Sequence, residues 1–265
     1  MGQTLVIAEK PSVAGDIARA LGGFKKDGDF WVSDAMIVGS AVGHLLEIKA
    51  PEEYDVKRGR WSFANLPVLP PHFDLQPIKK SIKKFEGLEK KIRSRSVTDI
   101  INACDAGREG ELIFRYIIQA TGTKKPIRRL WLQSMTKASI QKAFTALRSD
   151  AEMKPLEAAA RSRSEADWLV GINGTRALTA FNSKDGGFFL TTVGRVQTPT
   201  LAIVVAREEE ITHFKPQNYW EVHATFGAQA GDYDSVWVDA DFKKTKGQSA
   251  ELKPERLWTA AEAQA

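Results

Sequence analysis

The pattern of apolar and polar residues at the beginning of the chain predicts a strand, a tight turn and a helix. The run from Thr4 to Ala8 is short, apolar and rich in β-branched residues, which is typical of a buried strand. Pro11 suits the first turn of a helix, and we predict that this helix reaches Leu21. The segments FWVSD and MIVGSAV then predict a hairpin or two short strands.

The order of strand, loop and helix recurs further along the chain. Apolar residues at helical spacing between Lys79 and Arg95, among eight Lys or Arg and two Glu, predict a basic amphipathic helix. VTDIINAC then predicts a buried strand, DAGREGE a turn and LIFRYIIQA a helix, and IRRLWLQ and TKASIQKAFTALRS predict one more strand and helix. Five prolines from Pro51 to Pro77 predict a long surface loop. This alternation predicts an α/β fold with a parallel-core sheet and flanking helices.

The pattern changes near residue 150. After Ser149 the strand period is absent for about sixty residues, and helices are predicted from Pro155 to about Asn182 and from Gly194 to about Thr212. The period then returns to two in YWEVHATF and DSVWVDADF, and the final LWTAAEAQA predicts the start of a helix. We therefore predict an α/β domain, a helical domain and the first strands of a further domain, over 1–150, 151–214 and 215–265.

The charge and the cysteine content of the chain limit the kinds of partner and of structural site that it can have. The chain carries 38 Lys plus Arg against 33 Asp plus Glu, a net charge of +5 that suits a polyanionic partner. Cys104 is the only cysteine, which excludes an intrachain disulfide and a cysteine zinc cluster within this span. The chain has neither a secretory leader pattern nor an apolar run of about 18 residues. We expect a cytoplasmic protein without membrane association.

Acidic residues follow both predicted parallel strands. Glu9 closes the first strand and Asp105 closes VTDIINAC, so both carboxylates are expected where parallel sheets bind ligands, at the carboxyl ends of the strands. Glu109 and Glu111 follow, and carboxylates this close together suit a hard cation such as Mg²⁺. Alternatively, acids in the first turn of a helix only favour the helix dipole. Lys10 either binds a phosphate through its positive charge or is an ordinary exposed lysine at the start of a helix.

The two acidic segments resemble a known domain. VIAEKPSVA and DAGREGELIF are similar to the two signature segments of the Toprim domain, which occurs in type IA topoisomerases, gyrase-type enzymes, bacterial primases and some nucleases. The resemblance implies that Glu9 is a catalytic acid or base beside Lys10, and that a D-x-D-x-E run holds the metal. Asp105 and Glu109 match the ends of that run, but Gly107 replaces its middle Asp. We therefore expect one Mg²⁺, held by Glu9, Asp105 and Glu109.

Four further segments resemble type IA topoisomerases specifically. They are GHLLEI, RSEADWLVGINGTRAL, TTVGRVQTPTLAIVVAREEEI and FKPQNYWEV, and all the matches run in family order from about residue 4 to 222. The glycine substitution in the acidic run is similar to a variant of the topoisomerase III branch. Membership of this family implies ATP-independent breakage and rejoining of single-stranded DNA through a 5′-phosphotyrosine intermediate. A Toprim nuclease or primase, and a non-catalytic DNA-binding fragment, are the alternatives.

The same segments imply which residues contact DNA. Arg163 and Asp167 are four residues apart and share a helix face, so the carboxylate can orient the arginine toward a phosphate. In TTVGRVQTP a glycine precedes a helix, where backbone N–H groups can approach a phosphate. The expected DNA-binding residues are His44, Trp61, Arg163, Asp167, Arg176, Thr192, Val193, Gly194, Arg195, Val196 and Gln197. His44 or Trp61 could instead be ordinary packing residues, and Arg176 a surface arginine. Core spacing assigns Val170, Gly174, Ala177, Leu178 and Phe181 to packing.

The family resemblance also implies a nucleophile. Type IA enzymes use a tyrosine beside an Arg-Thr pair, and none of the four tyrosines here has those neighbours: Tyr54, Tyr116, Tyr219 and Tyr233. We expect the catalytic tyrosine beyond residue 265 and this chain alone to be inactive. The expected partner is single-stranded DNA, and the expected state is a monomer; the sequence identifies no helicase partner.

Overall fold

The first 149 residues contain the two predicted strand, loop and helix units, with further strands between them. The computed structural model describes residues 2–53, 61–244 and 251–265, so Tyr54 lies outside the described residues. In chain order the elements are β1 (Gln3–Ala8), α1 (Pro11–Leu21), β2 (Lys25–Asp27), β3 (Phe30–Val32), β4 (Met36–Ser40), β5 (Leu46–Ile48), β6 (Leu75–Pro77), α2 (Ile82–Arg93), β7 (Val97–Ala103), α3 (Arg108–Thr121), β8 (Ile127–Arg129), α4 (Lys137–Thr145) and β9 (Arg148–Ser149).

A seven-stranded sheet has the order β2-β3-β4-β1-β7-β8-β9. The four central strands, β4, β1, β7 and β8, are parallel, and the edge strands pair antiparallel. β5 and β6 form a separate antiparallel pair. This arrangement confirms the predicted α/β fold with a parallel core. β8 ends at Arg129, so the strand predicted from IRRLWLQ is too long, and β2 was not predicted because its KKD sequence is fully polar.

Helices cover both faces of the sheet, which explains the continuous apolar sequence of its central strand. On β1, Leu5 and Ile7 pack with residues of α2 and α3 on one face. Val6 and Ala8 pack with residues of α1 and α4 on the other face. Because successive side chains of a strand point to opposite faces, a strand buried on both sides has no polar alternation.

A long helix follows the sheet, α5 (Asp150–Asn182), and then α6 (Gln197–Thr212). α5 begins five residues before the predicted start at Pro155, because Ser149 and Glu152 form a reciprocal capping box at its N-terminus. The helix packs on α3, where the Tyr116 hydroxyl donates to Ser164 Oγ at 2.9 Å.

The chain forms two compact units, residues 1–200 and 201–265. The second unit contains the antiparallel strands β10 (His223–Ala228) and β11 (Gly231–Val236), and α7 (Ala260–Gln264). The two strands and the final helix were predicted, but β10 begins four residues after the start of YWEVHATF, and β11 ends at Val236 rather than continuing through DSVWVDADF. The domain limits at 150 and 214 remain a prediction. Within the described parts of the chain, no helix combines the length and apolarity needed to cross a membrane. A cytoplasmic location remains a prediction.

Candidate active site

Two carboxylates and one lysine meet where β1 and β7 end. The two strands are adjacent and parallel, with Ala8 opposite Ala103, so the residues that follow them lie side by side. Glu9 Oε2 accepts a hydrogen bond from the backbone N–H of Asp105 at 3.3 Å. Lys10 Nζ donates to Asp105 Oδ2 at 3.0 Å and lies 3.8 Å from Glu9 Oε1. The hydrogen bond to Asp105, followed by the charges of Asp105 and Glu9, raises the pKa of Lys10 above its ordinary value.

The loop after β4 is tied to the backbone of Glu9. The N–H groups of Val42 and Gly43 donate to the Glu9 carbonyl oxygen at 2.8 and 3.2 Å. Val42 has φ 64°, a left-handed conformation that is unusual for a β-branched residue. Such a conformation persists only where the surrounding structure enforces it, and it is concentrated at functional sites. The loop places His44 where its ring contacts Glu109.

Glu109 is positioned differently from the other two predicted metal ligands. It lies in the first turn of α3, and its carboxylate contacts His44 Nε2 rather than Glu9 or Asp105. Among the residues that the structure describes, no three His, Cys, Asp or Glu side chains are grouped closely enough to hold a metal ion. Glu9 and Asp105 nevertheless surround a cation, the Lys10 ammonium, and their oxygen donors suit Mg²⁺. The three-ligand magnesium site remains a prediction.

The turn between β7 and α3 depends on a close backbone approach. A Cβ atom on Gly110 would lie 2.2 Å from the Asp105 carbonyl oxygen and 2.7 Å from its nitrogen. Gly107 is different, because its backbone is extended at φ 174° and a Cβ there would meet nothing within 4 Å. A side chain at position 107 is therefore sterically possible. The backbone conformation does not require glycine there, so it does not explain why the middle carboxylate of the acidic run is absent.

We expect Gly110→Ala to lower the free energy of unfolding by about 1–3 kcal/mol, because the added methyl group must displace the backbone of Asp105. Gly107→Ala is the matched control and should change it by less than about 1 kcal/mol. Chemical denaturation of both variants measures the difference. Equal stability of the two variants would show that the contact at Gly110 is relaxed in solution.

A buried arginine holds the same turn from behind. The Arg129 guanidinium is 1% exposed and donates to the carbonyl oxygens of Asn102, Cys104 and Asp105 at 3.0, 2.7 and 2.7 Å. Burial lowers its pKa, and the nearby Glu111 carboxylate opposes that effect. Arg129 was missed in the sequence, where the signal was a charged residue inside the strand-like IRRLW. Its contacts fix the backbone from which Asp105 projects.

Glu111 is the acidic centre of this buried network. Its side chain is fully buried, accepts from Arg115 Nε at 2.7 Å and from Asn102 Nδ2 at 3.0 Å, and lies 3.5 Å from Arg129 Nε. Favouring the helix dipole is therefore not its only structural role. The two arginines, a carboxylate and an amide form a charged core beneath the active-site turn.

Asp167 brings together two segments that are separate in the sequence. Its Oδ1 accepts from Arg195 Nη1 at 2.9 Å, and its Oδ2 lies 3.7 Å from Arg163 Nε. Beside this cluster lies a cavity of about 210 Å³, with a lining that includes His44, Arg108, Glu109, Arg163 and Asp167. Arg108 was not predicted, although it lies within the DAGREGE segment. Residues from three sequence motifs thus face one cavity.

The segment before α6 is partly held by α5. Val193 N–H donates to Thr175 Oγ1 at 3.0 Å, and a Cβ on Gly174 would lie 2.8 Å from a Val193 methyl carbon. The Gly194 N–H donates to Thr198 Oγ1 at 3.1 Å, so that group is already satisfied within the chain. Within the predicted DNA-binding run, the exposed members are Thr192, Arg195, Val196 and Gln197.

Two other predicted DNA-binding residues contact each other. Arg176 is 7% exposed, pairs with Glu52, and its guanidinium lies 5.2 Å from the ring centroid of Trp61. Trp61 also contacts Phe188 edge to face at 5.7 Å. Arg176 is therefore not a surface arginine, and its DNA contact remains a prediction. The packing assignment is wrong for three residues of α5 that are 41–52% exposed, namely Val170, Leu178 and Phe181, because no described element covers that helix face.

Comparison with known proteins agrees with this geometry. The family described as Toprim domain matches residues 4–135, and the family described as DNA topoisomerase matches residues 151–265. The DNA topoisomerase 3 of Bacillus thuringiensis (strain Al Hakam) is 42% identical over 258 residues, which cover 97% of this chain and 34% of that protein. The DNA topoisomerase 3 of Staphylococcus aureus (strain USA300) is 44% identical over 223 residues, covering 84% of this chain and 31% of that protein.

A solved structure shows the same fold. Full-length topoisomerase I from Thermotoga maritima aligns with 93% of this chain and 36% of its own length, with a TM-score of 0.55 and 22% identity. The chain spans about a third of the length of the curated relatives it matches. The two family matches leave only 18 of the 265 residues uncovered. The chain belongs to the type IA DNA topoisomerase family, in the topoisomerase III branch, and carries its Toprim domain.

Proposed function

We propose that the protein containing this chain is a topoisomerase III-type enzyme that breaks and rejoins single-stranded DNA and passes DNA through the break without ATP. One observation carries the proposal. The cavity lined by His44, Arg163 and Asp167 lies next in the chain to the cluster of Glu9, Lys10 and Asp105, because the N–H of Gly43, the residue before His44, donates to the Glu9 carbonyl oxygen. The residues proposed for proton transfer and phosphate binding are therefore linked through the backbone to the cavity beside Asp167.

Glu9 is the residue placed to move a proton. In strand cleavage the tyrosine hydroxyl loses its proton to solvent as its oxygen bonds to phosphorus, the P–O bond to the 3′ oxygen breaks, and that oxygen takes up a proton from an acid. The Glu9 side chain is only 12% exposed and follows the carboxyl end of β1, and we assign it as the acid that gives a proton to the 3′ oxygen. On rejoining, the carboxylate takes the proton back from the 3′ hydroxyl, and the tyrosine oxygen leaves.

Lys10, and a cation held by the carboxylates, would neutralise the charge of the phosphate. The Lys10 side chain is 56% exposed and can turn from Asp105 toward a phosphate oxygen. Glu9, Asp105 and Glu109 are the residues that would hold Mg²⁺, and Glu109 would then give up its contact with His44. When bound, the cation supplies neutralisation of the phosphate charge.

The arginines around Asp167 hold the strand. Arg163 and Arg195 share a single carboxylate, and Arg108 lines the same cavity as Arg163, so positive charge remains for phosphate groups. The shared aspartate limits the directions of both guanidinium groups, which favours contacts that position the backbone rather than read the bases. We propose single-stranded DNA as the ligand and a monomer as the active state.

Replacing Arg195 by alanine tests this surface. The variant should weaken single-strand binding almost equally for all sequences and reduce the log–log salt slope by roughly 0.7, the contribution of one phosphate. Arg128→Ala is the matched control, because Arg128 is also an exposed arginine paired with a carboxylate, Asp99, in the early part of β7. Fluorescence anisotropy of a labelled strand over a salt series gives both values.

The two outcomes of this titration are distinct. A reduced slope for Arg195→Ala with an unchanged slope for Arg128→Ala supports the assignment. Unchanged affinity and slope for Arg195→Ala would make Arg195 a structural partner of Asp167 and remove the central residue of the proposed binding surface.

A further inference from the structure

A second cavity with a cationic lining includes the two residues that directly follow the active-site lysine, Pro11 and Ser12. It has a volume of about 410 Å³ and lies between α1, the β2–β3 hairpin and the residues leading into α2. Its charged lining residues comprise four cations and one carboxylate, namely Arg19, Lys26, Lys80, Lys84 and Asp29. The strand-binding surface proposed above makes no use of any of them.

Two of the four cations are already neutralised. Arg19 pairs with Asp16, and Lys84 Nζ lies 3.1 Å from Asp29 Oδ2. Lys26 and Lys80 are exposed and form no ion pair within the described residues; the Lys26 ammonium lies 5.8 Å from the ring centroid of Trp31. Unpaired like charges around one cavity repel each other, and an anion between them removes that repulsion. The excess of cations in the lining therefore favours a bound anion.

The cavity is continuous with the candidate active site along the backbone. Pro11 and Ser12, which directly follow Lys10, line it. Val42 lines it as well, and its N–H donates to the Glu9 carbonyl oxygen at 2.8 Å. A polyanionic strand that occupies the active site thus has a further cationic surface next to it.

We propose that this cavity binds a backbone phosphate of the same DNA strand, with Lys26 and Lys80 as its ligands. The proposal rests on the proposed function, since it extends the path of the strand past Glu9 and Lys10. Flexible, exposed lysines make positional contacts with phosphates and do not select bases, so the site adds affinity without sequence preference.

The chain offers a matched control for the test. Lys26→Ala/Lys80→Ala removes the two unpaired cations of the cavity, and Lys25→Ala/Lys79→Ala removes the same charge from the residues directly before them. Lys25 lines a separate cleft, because neighbouring residues of a strand face opposite sides, and Lys79 does not line this cavity. All four lysines are exposed, so both variants should retain the fold. Circular dichroism and thermal unfolding of the 265-residue chain check this.

Binding of a fluorescent single strand is then measured over a salt series. Loss of two phosphate contacts should lower the affinity about 25-fold at 0.1 M monovalent salt and flatten the log–log slope by about 1.4. The control variant should stay close to wild type. Equal losses in the two double variants would overturn the proposal, because only net charge would then matter.

Failure of the proposal can be separated from failure of the proposed function. If the wild-type chain does not bind single strands, both the proposed function and the proposed phosphate site in the cavity are contradicted. If the wild type binds and Lys26→Ala/Lys80→Ala binds equally well, the cavity assignment alone falls. Inorganic phosphate at millimolar concentration and constant ionic strength should leave the difference between the two double variants intact. If phosphate abolishes that difference, the cavity is a site for free anions and the proposal is overturned.

Discussion

Replacing Glu111 by alanine is expected to lower the free energy of unfolding by about 3–5 kcal/mol, the cost of leaving a buried charge without its partner. Glu111 is fully buried between the guanidinium groups of Arg115 and Arg129, which are themselves 5% and 1% exposed. Its removal leaves two buried cations without this carboxylate and also leaves the Asn102 amide without its acceptor. Arg115 retains Asp150 and Glu157, whereas Arg129 forms no other ion pair within the described residues.

Glu89→Ala is the control for this substitution. Glu89 also pairs with an arginine four residues away on a helix, Arg93, but the Arg93 side chain is 62% exposed. Exposed pairs of this kind contribute less than about 1 kcal/mol, so the control should unfold almost like wild type. Urea denaturation followed by circular dichroism compares the three proteins. A loss below about 1 kcal/mol for Glu111→Ala would mean that water or rearrangement compensates the buried arginines.

The elements that the sequence predicted well are those whose pattern follows from local contacts. The strand from Thr4 and the helix from Pro11 to Leu21 agree with β1 and α1, because burial on both faces and a proline in the first turn are local signals. The start of α5 was wrong because two signals competed. Pro155 suggested a first turn, but the capping box of Ser149 and Glu152 determines where the helix begins.

The candidate site was predictable only as far as strand ends could be located. Glu9 and Asp105 come together because β1 and β7 are adjacent and parallel, which the two strand, loop and helix units implied. The contact between Glu109 and His44 depends on side-chain directions and on the left-handed backbone of Val42, which leave no periodic pattern in the sequence. The role of Arg129 was hidden for the same reason, since its partners are backbone carbonyl groups.

In the full-length protein, Glu9→Gln is expected to slow strand cleavage by about 10²–10⁴-fold, the usual contribution of a general acid or base. Glutamine keeps the size of the side chain and can still accept the hydrogen bond from Asp105 N–H, but it cannot exchange a proton with the 3′ oxygen. Single-strand affinity should remain close to wild type, because phosphate binding is assigned to Lys10 and to the arginines beside Asp167. Glu86→Gln changes an exposed carboxylate on α2 and is expected to have no effect on cleavage.

Trapping of the covalent protein–DNA complex tests the proposed strand cleavage and the role of Glu9 most directly. The full-length protein is incubated with a 3′-labelled single strand and Mg²⁺ and then denatured, so that label linked through a 5′-phosphotyrosine migrates with the protein. Wild type and Glu86→Gln should give this complex readily, and Glu9→Gln should give almost none while still shifting the same strand in a native gel. Covalent complex formed by Glu9→Gln at the wild-type rate would contradict the role of Glu9, and a wild-type protein that binds the strand but never becomes linked to it would contradict the proposed function.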